Sequence, residues 1–288
     1  VVPVLAVAIS AISAAAVLVR LVPELPAPAV AMWRCTLVAV VLAPTLRRME
    51  RRDLALSVAA GLALALHFWT WFESLRHTSV LRSTVLVCLS PVWTALLEMV
   101  WLRHRPTGRY WLGVVVALLG VGVMAGGGAS GTGPANLRGD LLATAGGVLA
   151  GIYMVTGRAA RQRVGIGAYG ALVSGSAALW LLPVVLLLPT STGASAAWGY
   201  SDRQWLVLAA LAAGPQLLGH VGLNYAVRYL PAAVVSLVVL LEPGGAALLA
   251  GLVLDEWAGP AEWVGAAVIL AGIAVATARL PKRARPAR

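Results

Sequence analysis

Long apolar runs, each about as long as a bilayer is thick and bounded by charge or proline, leave this chain few ways to fold. A spanning helix needs roughly 20 predominantly apolar residues. Such runs are predicted at 3–20, 29–46, 54–73, 80–102, 109–126, 139–157, 168–189, 204–226, 232–254 and 261–279. They are continuous rather than alternating, so they do not read as the lipid-facing strands of a barrel. Only 11% of the 288 residues are charged, against about a quarter in a soluble domain. The expected fold class is an all-α integral membrane protein of ten transmembrane helices. Punctuation agrees: Pro23, Pro26 and Pro28 part the first two runs, a Gly- and Ser-rich stretch at 126–133 divides the chain near its middle, and a polar stretch at 190–202 parts the seventh run from the eighth.

A net charge of +11 suggests a nucleic-acid partner, but its placement argues otherwise. With Arg34 set aside inside the second run, alternate gaps hold sixteen basic residues on one side and five on the other. The rich side carries Arg47, Arg48, Arg51 and Arg52, then Arg103, Arg105 and Arg109, then Arg158, Arg161 and Arg163, then Arg228 and the tail. Positive residues favour the cytoplasmic side. The split therefore predicts an even number of spans, both termini in the cytoplasm, a bacterial inner membrane and no nucleic-acid partner.

Several chemistries are excluded. The single lysine, Lys282, lies in the basic tail, so no spanning lysine can form a Schiff base and no GxxxxGK[ST] loop can hold nucleotide phosphates. HExxH, GxSxG and paired-aspartate motifs are missing too, and the chain is not expected to be an enzyme or to carry a cofactor. Cys35 and Cys88 sit in apolar runs without paired spacing and read as bland buried residues, with no disulfide or metal site. The sequence begins at Val1, which predicts a missing or trimmed initial segment. The first run lacks a small-residue cleavage pattern and reads as a helix that stays.

The chain repeats itself. Residues 76–124 slide by 152 positions onto 228–276 without a gap, and 14 of 49 positions match, among them Arg76/Arg228, Pro91/Pro243, Trp111/Trp263, Gly113/Gly265 and Gly120/Gly272. Helices 3–5 then correspond to helices 8–10. The expected domains are a first five-helix repeat over 1–128, a second over 139–280 and a basic cytoplasmic tail over 281–288. An odd number of spans per repeat inverts the second copy. Inverted repeats build alternating gates around one midplane site in many secondary transporters.

The segment NYAVRYLPAAVVSLVVLLEPGGAALLAGLVLDEWAGPAEWVGAAVILAGIAVA (224–276) resembles the C-terminal half of the EamA family in the drug/metabolite transporter superfamily. It has a Tyr-Leu-Pro start to helix 9, a mid-helix Glu-Pro, the acidic pair Asp255-Glu256 and a Gly-rich tenth helix. LSPVWTALLEMVWL (89–102) echoes it in the first half, and GDLLATAGGVLAGIYMVTGRAAR (139–161) looks like the family's sixth helix. The resemblance implies a central cavity and export of amino acids by alternating access, with export of drugs or cationic compounds, or lipid flipping or scrambling, as alternatives. The implied partners are a small-molecule substrate and the bilayer, and the implied state is a monomer. Two departures stand out. Arg103-His104-Arg105 replaces the Gly-Glu-Arg that members often carry after helix 4. Ala150 stands where exporters of aromatic amino acids tend to have Trp, implying a roomier pocket.

Charge inside a bilayer costs several kcal/mol, starting at roughly 3, so each such residue invites a functional reading. Glu242, before Pro243 in mid-helix 9, either holds a substrate amine or proton or satisfies backbone; Ser90-Pro91 is its counterpart. Pro91 and Pro243 are the expected kinks. Arg34 either binds a substrate carboxylate or snorkels to the headgroups. His67 and His220 suit a proton relay or a hydrogen-bonded structural role. Trp71, Trp93 and Tyr153 fall deep enough to wall a cavity. Asn224 and Gln216 offer amides to a substrate or to a neighbouring helix. Glu73 and Glu98, near helix ends, are expected to meet interfacial water or a loop arginine. Gly147 and Gly151 form a GxxxG that reads as packing inside the bundle.

Overall fold

The computed structural model describes residues 1–47, 49–77, 83, 86, 87, 89–127, 137–188, 197–254, 257 and 259–277. Among them the chain forms helices wherever a run was predicted: α1 (Val2–Arg20), α2 (Ala27–Thr45), α3 (Arg51–Ser74), α4 (Ser90–Trp101), α5 (Gly108–Gly127), α6 (Leu137–Arg161), α7 (Ile166–Leu187), α8 (Asp202–Ala226), α9 (Ala232–Val253) and α10 (Pro260–Thr277). Seven of these, all but α4, α5 and α10, are long and apolar enough to cross a membrane. The architecture is therefore all-α and multi-span. Cys88, the Asp255-Glu256 pair, the outer part of the fourth run, most of the stretch at 126–133 and the tail at 281–288 lie outside the described residues.

Among boundaries that fall on described residues, the largest difference is at the end of α6, which runs to Arg161 rather than 157. Both arginines of that last turn find carbonyls to bond. Arg158 Nη1 donates to Val227 O (3.2 Å), and Arg161 Nε donates to Asn224 O (3.0 Å). A cation at a helix C-terminus also complements its dipole.

Side-chain bonds gather the connections at two opposite ends. At the arginine-rich end Arg163 pairs with Glu50 (3.3 Å) and Gln162 reaches Arg228 O (3.5 Å). At the other end Arg76 donates to Leu25 O (2.6 Å), Arg203 to Leu21 O (2.9 Å) and Trp33 Nε1 to Ala197 O (2.7 Å). There too, the Gln204 amide (2.8 Å) holds the Glu24 carboxyl below the usual carboxylate range. Glu73 meets Arg76 and His77, in line with expectation.

Two apolar cores result. The larger spans α1–α3 and α6–α8 with the start of α9, and the smaller joins α4, α5, α9 and α10. In the smaller one, backbones meet directly. A Cβ at Gly113 would lie 2.5 Å from Gly272 O, and one at Gly120 would lie 2.6 Å from Gly265 O. Any larger residue there would force α5 and α10 apart. Gly147 and Gly151 likewise let α6 sit against Leu86, Val87 and Trp93, which is packing within the bundle.

Two helices depart from α geometry beside proline. A π-helical stretch, Ala212–His220, surrounds Pro215 in α8, and a 3₁₀ turn, Val239–Leu241, precedes Glu242 and Pro243 in α9. Proline lacks an N–H and crowds the carbonyl four residues back, and local widening or tightening relieves both. Pro91 lies instead in the first turn of α4, where a missing N–H costs nothing.

Candidate functional site

Both irregular stretches open onto one central cavity. It is lined from α1, α3, α4, α6, α8 and α9, and the remaining helices supply no described lining residue. Six sequence candidates line it: His67 and Trp71 from α3, Ser90 from α4, Tyr153 from α6, His220 from α8 and Glu242 from α9. Among the described lining residues Glu242 alone is acidic or basic apart from the two histidines.

The histidines are far apart in sequence, yet their ring centroids are 6.4 Å apart. His67 Nδ1 donates to Gly146 O (2.9 Å), which leaves Nε2 of the neutral ring as an acceptor. His220 Nδ1 and Trp71 Nε1 are buried without a partner. The wall thus holds polar atoms that the protein itself does not satisfy, and such groups are uncommon in a folded interior.

Four other candidates stand elsewhere. Arg34 does not snorkel, because its side chain is fully buried in the bundle. Its Cζ lies 4.1 Å from the Phe68 centroid and 5.8 Å from that of Phe72, and none of its three nitrogens has a hydrogen-bond partner. Phe68 in turn meets His220 edge-on at 4.9 Å, so these two rings screen the guanidinium from the cavity. Asn224, one turn beyond His220, touches the lining indirectly through Nδ2 donating to Tyr153 Oη (2.6 Å). Gln216, one turn before His220, turns to α7 and donates to Ser174 Oγ (3.3 Å). Trp93 is turned toward α6, where Gly151 makes room, and does not line the cavity.

Glu98 meets an arginine, one of its two expected partners, and is fully buried: it accepts from the Ala232 and Ala233 N–H groups (2.9 and 3.1 Å) and lies 3.3 Å from Arg158 Nε. Sequence reasoning also missed Ile12, Ala15, Met154, Leu223, Ser236 and Val239 in the lining. Val239 lies three residues from Glu242 and Leu223 three from His220, so a helical stride from those candidates would have found both. Ile12 and Ala15 lie on α1, which carried no candidate. Among the described residues no group of three His, Cys, Asp or Glu could hold a metal.

The arrangement suits reversible binding of a small molecule better than bond chemistry. One carboxylate faces an aromatic chamber, and a guanidinium waits behind a ring pair. The profile of the EamA-like transporter family matches residues 1–126 and 137–278. A solved crystal structure superposes with a TM-score of 0.77 at 21% identity, covering 96% of this chain and 95% of that one, a likeness of fold. No curated protein matches.

Proposed function

Because the chain belongs to the EamA-like transporter family, and is thus a multi-pass membrane transporter rather than an enzyme, we propose that it exports amino acids across a bacterial inner membrane by alternating access. The proposed frame is ten spans in two inverted repeats, 1–128 and 139–280, acting as a monomer with both termini in the cytoplasm. The cross-pairing of glycines supports it. The sequence repeat equates Gly113 with Gly265 and Gly120 with Gly272, whereas the close contacts join Gly113 to Gly272 and Gly120 to Gly265. Crossed equivalences of this kind are what two copies related by a two-fold axis produce.

The observation that carries the substrate reading is the pair of opposite charges, one on the cavity wall and one behind it. Glu242 faces the cavity and Arg34 stands unpartnered behind Phe68 and His220. An ammonium fits the first, and a carboxylate fits the second once the rings turn. Trp71, Tyr153 and the apolar wall suit the side chain. His67 and His220, which line the same cavity as Glu242, take or pass a proton in this reading. A second reading is favoured by the screening of Arg34: with Glu242 the only charge presented, an organic cation with an apolar body also fits.

Counterflow of labelled amino acids into proteoliposomes, with and without a pH gradient, tests this beside Glu242→Gln. Saturable exchange absent from empty liposomes and reduced at least about tenfold in the variant, a loss worth about 1.4 kcal/mol, is expected. Exchange of lipophilic cations but of no amino acid would select the second reading, and lipid movement without either would sink both.

A further inference from the structure

Glu98 and Arg158 lie on neighbouring helices at the arginine-rich end, two turns beyond the lining residue Ser90 on α4 and one turn beyond Met154 on α6. The link to the cavity is short. Ser236 lines it and donates to Ala233 O (3.0 Å), and the N–H of the same Ala233 donates to Glu98.

Each charge first answers a helix end. Pro231 precedes α9 and offers no side-chain cap, so the Ala232 and Ala233 N–H groups depend on the Glu98 carboxylate. Arg158 donates to the Val227 and Leu230 carbonyls that follow α8. The acid therefore fastens α4 to α9, and the base fastens α6 to the end of α8. Helix dipoles favour both placements. Among the described residues, Glu98–Arg158 at 3.3 Å is the ion pair that joins these two assemblies. Further up the same seam α4 and α6 touch backbone to backbone, where a Cβ at Gly147 would lie 3.1 Å from Val87 O and one at Gly151 would lie 3.1 Å from Thr94 N.

We infer that the Glu98–Arg158 pair is the gate bond at the arginine-rich end, closed here and broken each cycle as α4 with α9 swings from α6 with α8 about the Gly147–Gly151 crossing. The inference rests on the alternating-access reading. The geometry confines the loss to Arg158: Glu98 keeps the Ala232 and Ala233 N–H groups and Arg161 keeps α6 on Asn224 O, while Arg158, whose bond to Leu230 O lies two residues from Ala232, gives up that carbonyl together with the ion pair. Water entering the opened seam then resolvates the two ions, offsetting the lost attraction.

The test reads access to the cavity, so it needs no substrate. Ser236→Cys is introduced with Cys35 and Cys88 replaced by Ala, and a membrane-impermeant thiol reagent is applied from the arginine-rich side. Glu98→Gln and Arg158→Gln should each raise the labelling rate at least about tenfold, the shift given by loss of about 1.4 kcal/mol. The double variant should label no faster than either single one, because both remove the same bond. Unchanged labelling, or effects that multiply, would overturn the inference. If Glu98→Gln yields no folded protein, Arg158→Lys decides: it keeps the charge but loses the fork reaching Val227 and Leu230, and must fall between wild type and Arg158→Gln. Saturable counterflow with unchanged labelling would spare the carrier and sink the gate, and the reverse result would spare the gate alone.

Discussion

The cavity walls and the α5–α10 pair are both packed from apolar helices, yet they are built on opposite rules. Around the cavity the backbone departs from α geometry, aromatic rings fill the space, and Arg34, Trp71 and His220 keep polar atoms unsatisfied. Between α5 and α10 the contact is backbone on backbone at Gly113, Gly120, Gly265 and Gly272. Lipid gives helices no hydrophobic reason to associate, so stability must come from close fit, and the glycine pair supplies it. The cavity gives up part of that fit for polar groups that a ligand can complete. One region is arranged to stay and the other to exchange partners.

Substitutions should separate the two. The largest effect is expected at Gly272→Val, where a Cβ would fall 2.5 Å from Ala117 N. Neither backbone can yield, so a cost above about 3 kcal/mol and loss of monodisperse protein in size-exclusion chromatography are expected. Gly122→Val, with nothing within 4 Å on the same α5, should leave the elution profile unchanged. Equal tolerance at both positions would break the contrast.

Arg34→Met should do the reverse. Removing a fully buried cation without a hydrogen-bond partner relieves desolvation. The thermal midpoint is expected to rise by roughly 2–4 °C, the shift about 1 kcal/mol gives at this size, while amino-acid exchange falls to background. A lowered midpoint would mean that the guanidinium holds the bundle together. The smallest effect belongs to Asn224→Leu, which removes the bond to Tyr153 Oη at little change in volume. A stability loss of about 1 kcal/mol and a KM for exchange raised about fivefold are expected. An unchanged KM would place Asn224 with the scaffold.

Span positions were legible because a bilayer imposes a length that composition must meet. The internal repeat was legible because Pro, Trp and Gly seldom match by chance in an apolar chain. Glu242, Tyr153 and Trp71 were found in the same way, as polar or aromatic residues too deep to serve the interface. Side-chain destinations were harder, since lipid-facing and interior-facing stripes are both apolar and periodicity does not distinguish them. Gln216 and Asn224 lie two turns apart on α8, yet one turns to Ser174 and the other to Tyr153. The edge-on meeting of Phe68 with His220, and the reach of Glu98 to Ala232, join residues more than 100 positions apart and leave no local trace. Pro215 did stand in plain view within the eighth run, and only its structural consequence, the π turn ending at His220, was unread.

Tyr110 stands between the two regions, its Oη 3.0 Å from Pro91 O on α4 and 3.1 Å from Ala233 O on α9. A phenol has one proton to give, so the carbonyls of α4 and α9 compete for it. If one helix draws away, the other takes the whole bond, and the number of bonds made does not change. Ala233 O also receives the Ser236 hydroxyl and so is never left bare. The hydroxyl behaves as a bearing: it fixes where α4 and α9 turn while charging almost nothing for the turn itself.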